Sequence, residues 1–126
     1  MGGSFKDLKV YQMAYKAAME IFELSKGFPR EEKYALIDQI RRSSRSVCAN
    51  SAEGYRKRIY PNHFAMKMTD ADAEASETTV WLDLAQDCGC LETELHTRLT
   101  NVYDEIGRML GGMAKCPEKF IPKKER

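Results

Sequence analysis

Apolar residues recur every three to four positions along four stretches of this 126-residue chain, and nowhere do they alternate as a half-buried strand requires. The first stretch runs from Asp7 to Lys26. Leu8, Tyr11, Tyr15, Ala18, Phe22 and Ser25 mark its expected seam, widened by Val10, Ala14, Ile21 and Leu24. Gly27-Phe28-Pro29 then stops it, because glycine accepts a left-handed cap and proline cannot continue a helix.

A second helix is expected from Arg30-Glu31-Glu32, where two carboxylates suit the positive end of the helix dipole. Its core stripe passes from Leu36, Ile37 and Ile40 to Ser44, Val47 and Ser51. The change to small side chains predicts close approach by a neighbour, and the helix should fade around Gly54, before Ile59. Tyr60-Pro61-Asn62 reads as the next break, with Pro61 in the first turn of a third helix. Phe64, Met68, Ala71, Ala75, Thr78, Leu82 and Ala85 follow in helical register as far as Cys88-Gly89-Cys90. The fourth helix, from about Glu92, uses Leu95, Leu99, Val102, Ile106, Met109 or Leu110, and Met113, with Gly111-Gly112 weakening its last turn.

Four such helices joined by short connections predict an all-α, antiparallel up-down four-helix bundle over residues 1–114, followed by an irregular, loose tail over 115–126. A composition 43% hydrophobic and 31% charged suits a globular domain. No apolar run approaches the roughly 18 residues of a membrane span, and no basic-then-apolar leader is visible, so no membrane association and a cytoplasmic location are expected. Met1-Gly2-Gly3-Ser4 resembles a myristoylation start, but Lys6 stands where serine or threonine is wanted. Cys48, Cys88, Cys90 and Cys116 lack the spacing of a disulfide framework and are expected as thiols.

Charge changes this picture. Between Arg41 and Arg58 lie six cations (Arg41, Arg42, Arg45, Arg56, Lys57 and Arg58) against the single acid Glu53. The third helix is the reverse, with Asp70, Asp72, Glu74, Glu77, Asp83 and Asp87 against Lys67. Arg41, Arg45, Arg56, Lys57 and Arg58 are the candidate contacts to nucleic-acid phosphate. Tyr55 and Tyr60 beside the last three add the aromatic element of single-strand sites, although a helix end at an interface looks the same. Arg42, Asn50, Glu53 and Glu77 are read as structural. On a thin helix a buried Glu53 needs a cation, expected to be Arg42 or Arg45 of a neighbouring helix or subunit. Cys88, Cys90, His63 and His96 do not form the paired ligand doublets of a zinc site, so no metal and no cofactor are expected. Glu53 and Glu77 lack an accompanying nucleophile or phosphate-binding loop, so no catalysis is expected.

Phe5-Lys6-Asp7-Leu8-Lys9-Val10-Tyr11-Gln12, then Phe28-Pro29, and above all the run Arg41–Gly54 with its Asn50-Ser51-Ala52-Glu53-Gly54 core, resemble the 23S rRNA intervening-sequence protein family. The likeness covers roughly Phe5 to Leu110, with Phe64, Glu77, Leu82, Ala85 and Gly89 at the family's third-helix spacing. Ala73-Glu74 and Ser51 depart from its usual Gly-Ser pair and isoleucine. The resemblance implies a four-helix bundle that closes into a ring of five, without enzymatic activity. It also implies kinship with nucleic-acid-binding accessory proteins of diversity-generating retroelements. The function expected is a non-catalytic, homo-oligomeric RNA- or DNA-binding or scaffold protein. The alternative is an adaptor for a protein partner, whose charged faces serve ring assembly only.

Overall fold

A computed structural model describes residues 3–123. Met1-Gly2 and the last residues of the tail, 124–126, lie outside the described residues. Four helices form the protein: α1 (Lys9–Ser25), α2 (Asp38–Arg56), α3 (Pro61–Asp87) and α4 (Thr93–Lys115). Each packs on its neighbours in chain order and α4 closes against α1, so one core runs through a four-helix bundle. Side-chain pairs follow opposite order along adjacent helices. Arg42 meets Glu77 and Glu53 meets Lys67 between α2 and α3; Asp83 meets His96 between α3 and α4, where the Gly107 backbone also approaches Asp72.

The start of α2 is less regular than the sequence implies. Arg30–Glu32 form a 3-10 turn and Lys33–Ile37 a π-helical turn before α geometry begins at Asp38. Leu36 and Ile37 are nevertheless buried there, as the apolar stripe requires. α3 buries Phe64, Met68, Ala71, Ala75, Thr78, Leu82 and Ala85, the whole expected stripe. Pro61 occupies its first turn, and Gly89 follows its end at φ +79°, where only glycine is unstrained.

α1 is rotated from the expected seam. It buries Val10, Ala14, Ala17, Ile21 and Ser25, while Tyr15 and Met19 are 53% and 47% exposed. Small Ala14 and Ala17 let α1 approach the core closely, so the larger aromatics move to its α2-facing edge. There Phe5 stands edge-on to Tyr11 at 5.1 Å and Tyr11 lies 5.9 Å from Tyr15.

The C-terminal part differs from expectation. α4 runs through Gly111-Gly112 and continues to Lys115. The tail is not loose where it is described: Pro117–Phe120 form a 3-10 turn, and Phe120 stacks on buried Phe64 at 5.0 Å. The apolar contact of Phe120 outweighs the lack of a continuing helix.

α2 ends at Arg56, close to Gly54 and before Ile59 as expected. Gly54 itself is buried two residues before that end, and a Cβ there would lie 2.5 Å from Met68 Cε and 2.9 Å from Lys67 Cβ. The methionine end can move; a Cβ on the facing backbone cannot. Alanine's helix propensity alone would stabilise Gly54→Ala by about 1 kcal/mol, whereas overpacking costs about 1–3 kcal/mol. With α2 and α3 unable to separate locally, the variant is expected to be less stable. Chemical denaturation checks this, and a Gly54→Ala protein as stable as wild type would mean that the α2–α3 approach is not tight at this point.

Candidate nucleic-acid interface

The arginines of α2 fall into two groups with different tasks. Arg41 turns back onto the end of α1. Its Nε donates to Ser25 Oγ at 2.8 Å, its Nη2 donates to the Phe22 carbonyl at 3.4 Å, and its guanidinium lies 4.7 Å from the centre of the Phe22 ring. It therefore adds donors at the C-terminal end of α1, where the Ser25 hydroxyl also donates to the Phe22 carbonyl at 3.1 Å. Arg45, one turn on, also lies over Phe22, at 5.8 Å, but is exposed. Arg42 reaches across to α3, where it bonds Glu74 at 3.3 Å and makes a short contact with Glu77.

Arg56 lies about 22 Å from Arg41 along the helix, at about 1.5 Å per residue, so the six cations do not form one patch. Arg56 and Lys57 are exposed at the end of α2, and no carboxylate pairs with them among the described residues. Arg58 is half-buried. Its guanidinium lies 4.0 Å from the Tyr55 ring centre, and its Nη1 donates to the Tyr55 carbonyl at 2.9 Å. Tyr60 and His63 follow, with ring centres 5.8 Å apart. The candidate interface is thus the α2–α3 turn, with Arg45 outside it and Arg41 engaged within the fold.

The structural polar residues meet partly the partners expected. Within the chain, Glu53 meets no arginine among the described residues; its Oε1 accepts from Lys67 Nζ at 2.7 Å, and the glutamate side chain is 56% exposed. Lys67 also donates to Asn50 Oδ1 at 3.4 Å, while Asn50 Nδ2 donates to the Ser46 carbonyl at 3.0 Å. Helical spacing places Glu53 at the rim of the α2–α3 seam, where a flexible lysine reaches it. Removing it should therefore cost only about 0–1 kcal/mol, not the several kcal/mol of a buried pair. Glu77 does meet Arg42 and also accepts from Trp81 Nε1 at 3.0 Å.

The thiols and histidines stay dispersed. His63 begins α3, whereas Cys88, Cys90 and His96 lie beyond its far end, and His96 contacts Asp83 at 2.7 Å. No cluster of three or more metal-ligating side chains occurs among the described residues. Burial pushes the Cys48 thiol up to about 11, so at neutral pH it is protonated and slow to react. It borders an apolar groove of about 420 Å³ between α1 and α2, formed with Tyr11, Tyr15, Met19, Phe22 and Arg45. Periodicity alone did not reveal this groove, because its aromatics were assigned to the core. Lys67 was also missed as a partner of the Asn50–Glu53 pair; its position opposite them requires the pairing of α2 with α3 to be known.

These features define a class: a helical bundle whose arginines partly brace the fold and partly stand free at one end. The chain belongs to the 23S rRNA-intervening sequence protein family, whose model matches residues 6–112. Among solved structures it is similar to a protein of unknown function from the S23 ribosomal protein family of Bacteroides thetaiotaomicron VPI-5482. The two are 29% identical, the match covers 87% of this chain and 98% of that one, and the TM-score is 0.76. No curated protein matches the chain. No helix among the described residues is long and apolar enough to cross a membrane.

The Arg42 hydrogen bond, assisted by Trp81, holds the Glu77 carboxyl below the usual glutamate range. A depressed carboxyl contributes stability above its unfolded value, about 4.3, and loses it as pH falls through the folded value. Glu77→Gln should therefore melt below wild type at pH 7, by up to about 1 kcal/mol. The gap should close as the pH falls below about 4. Thermal melts of both proteins across this range test the pair; a gap independent of pH would assign the loss to packing against Trp81.

Proposed function

We propose that this protein is a non-catalytic, cytoplasmic, homo-oligomeric nucleic-acid-binding protein, which binds phosphate through Arg56 and Lys57, while Arg58 holds the turn that presents them. The observation that carries this reading is the exposed pair Arg56-Lys57, unpaired with any carboxylate among the described residues, where the other α2 cations are held by Phe22 or by α3. Unpaired cations on a near-neutral chain are positioned for an anionic polymer, whose released counterions drive binding. Membership of a family described by an rRNA intervening sequence supports RNA as the first polymer to test.

A specific feature also favours assembly. α3 carries Met66, Val80 and Leu84 exposed, at 64%, 51% and 44%, interleaved with Asp70, Asp83 and Asp87. The α1–α2 groove offers exposed Tyr15 and Met19 with Arg45 at its edge. An acidic apolar stripe and a basic apolar groove on one chain suit a heterologous contact, which must close into a ring or extend as a filament. Five subunits is the number implied by the family resemblance. A ring would repeat the basic turn and raise avidity. If the contact serves assembly alone, the protein is an adaptor rather than a nucleic-acid binder.

Anisotropy titrations with labelled RNA and DNA over a salt series, beside light scattering on a dilution series, distinguish these readings. Expected are a multimer mass that survives dilution and an affinity that falls steeply with salt. The Arg56→Ala/Lys57→Ala protein should melt like wild type, bind all sequences more weakly, and lose about 0.7–0.9 from the salt slope per phosphate contact removed. Binding no tighter than about micromolar at low salt, unchanged in that variant, would leave the adaptor reading.

A further inference from the structure

We propose that the α2–α3 turn, from Arg56 to His63, binds unpaired nucleic acid: Tyr60 and His63 stack on bases, and Arg56 and Lys57 hold the flanking phosphates. This rests on the nucleic-acid reading above and narrows it to single strands.

The turn presents aromatic surface that the fold does not use. Tyr60 is 57% exposed and Ile59 42%. His63 is also exposed, and its ring is tilted 44° to that of Tyr60 at a centroid distance of 5.8 Å. Phe64, one position further on, is fully buried, so the core draws its aromatic from there and leaves Tyr60 and His63 to solvent. Residues 56–63 contain three cations and no acid.

The turn is also built in advance. Lys57 N–H donates to the Gly54 carbonyl at 3.0 Å, Arg58 N–H to the Tyr55 carbonyl at 3.2 Å, and Tyr60 N–H to the Lys57 carbonyl at 2.8 Å. Arg58 lies over Tyr55, 4.0 Å from its ring centre, and bonds its carbonyl, so one cation fixes the turn while Arg56 and Lys57 are left to the ligand. Little ordering is then lost on binding.

Two alternatives fit less well. Bases in a duplex keep their faces stacked on one another, so an aromatic on a rigid turn reaches them only by forcing a step apart. Protein interfaces deplete charge, and lysine in particular, at their centres, whereas this turn surrounds its aromatics with cations. Stacking is indifferent to sequence because every base has a π-face, so broad preference for unpaired strand is expected.

The test uses the full chain in its assembled form. A labelled pyrimidine-rich RNA of about 20 nucleotides, a length that accommodates several single-strand sites, is titrated alone and annealed to its complement. The single strand should bind at least tenfold more tightly. Tyr60→Ala should weaken single-strand binding about tenfold and leave duplex binding unchanged, while Tyr60→Phe, which keeps the ring, should bind like wild type. Circular-dichroism melts verify that both variants fold. If the duplex binds as well as the strand, or Tyr60→Ala binds like wild type while Arg56→Ala binds more weakly, the single-strand site is overturned and the electrostatic reading stands. If wild type binds neither RNA, both fall.

Discussion

Between Ser43 and Gly54, the buried face of α2 carries nothing larger than valine: Ser43, Ser44, Val47, Ser51 and Gly54. Opposite it α3 presents Met68, Ala71, Ala75 and Thr78. Small side chains on both helices let the backbones approach, and close approach gains dispersion contacts over the whole seam. Its condition is that no buried hydroxyl lose its hydrogen bonds. Ser51 donates to the Val47 carbonyl at 2.7 Å and Ser44 to the Arg41 carbonyl at 3.2 Å, both within α2. Thr78 joins the two helices by donating to Ser43 Oγ at 2.8 Å. Elsewhere the buried Tyr103 hydroxyl meets no hydrogen-bond partner among the described residues, and burial raises its pKa far above that of a free phenol.

The seam also determines what the arginines can do. With α2 held close to α3, Arg42 falls within reach of Glu74 and Glu77, and Lys67 within reach of Glu53 and Asn50. On the other side of α2, Arg41 reaches the carbonyl end of α1. Past Gly54 the facing helix offers no carboxylate to the next cations, and α2 ends. Arg56 and Lys57 are free because they lie beyond the seam. One basic run in the sequence thus becomes two kinds of cation through geometry alone.

The helices themselves were legible in the sequence, because a stripe such as the seven residues of α3 repeats with helical period for about six turns and competes with no other pattern. The orientation of α1 was not, since Tyr11, Tyr15 and Phe22 are as hydrophobic as any core residue; only the alanines beside them, which permit closer packing, decided which face turned inward. The contact that Gly54 makes was hidden because it depends on Met68 and Lys67, fourteen and thirteen residues away. The basic cluster was visible as composition. Its division into bracing and free residues was not, because helical rise separates Arg41 from Arg56 and the carboxylates that claim Arg42 lie on another helix. Phe120 was hidden by the prolines around it, which signal irregularity without saying whether the segment packs.

Native-state hydrogen exchange tests the primacy of the α2–α3 seam most directly. The slowest amides should lie in Ser43–Ser51 of α2 and Ala71–Thr78 of α3, exchanging only through global unfolding. Those of α1 around Ala14–Ile21 and of α4 around Leu99–Ile106 should open earlier. Exchange in the seam as fast as in α1 or α4 would contradict the account.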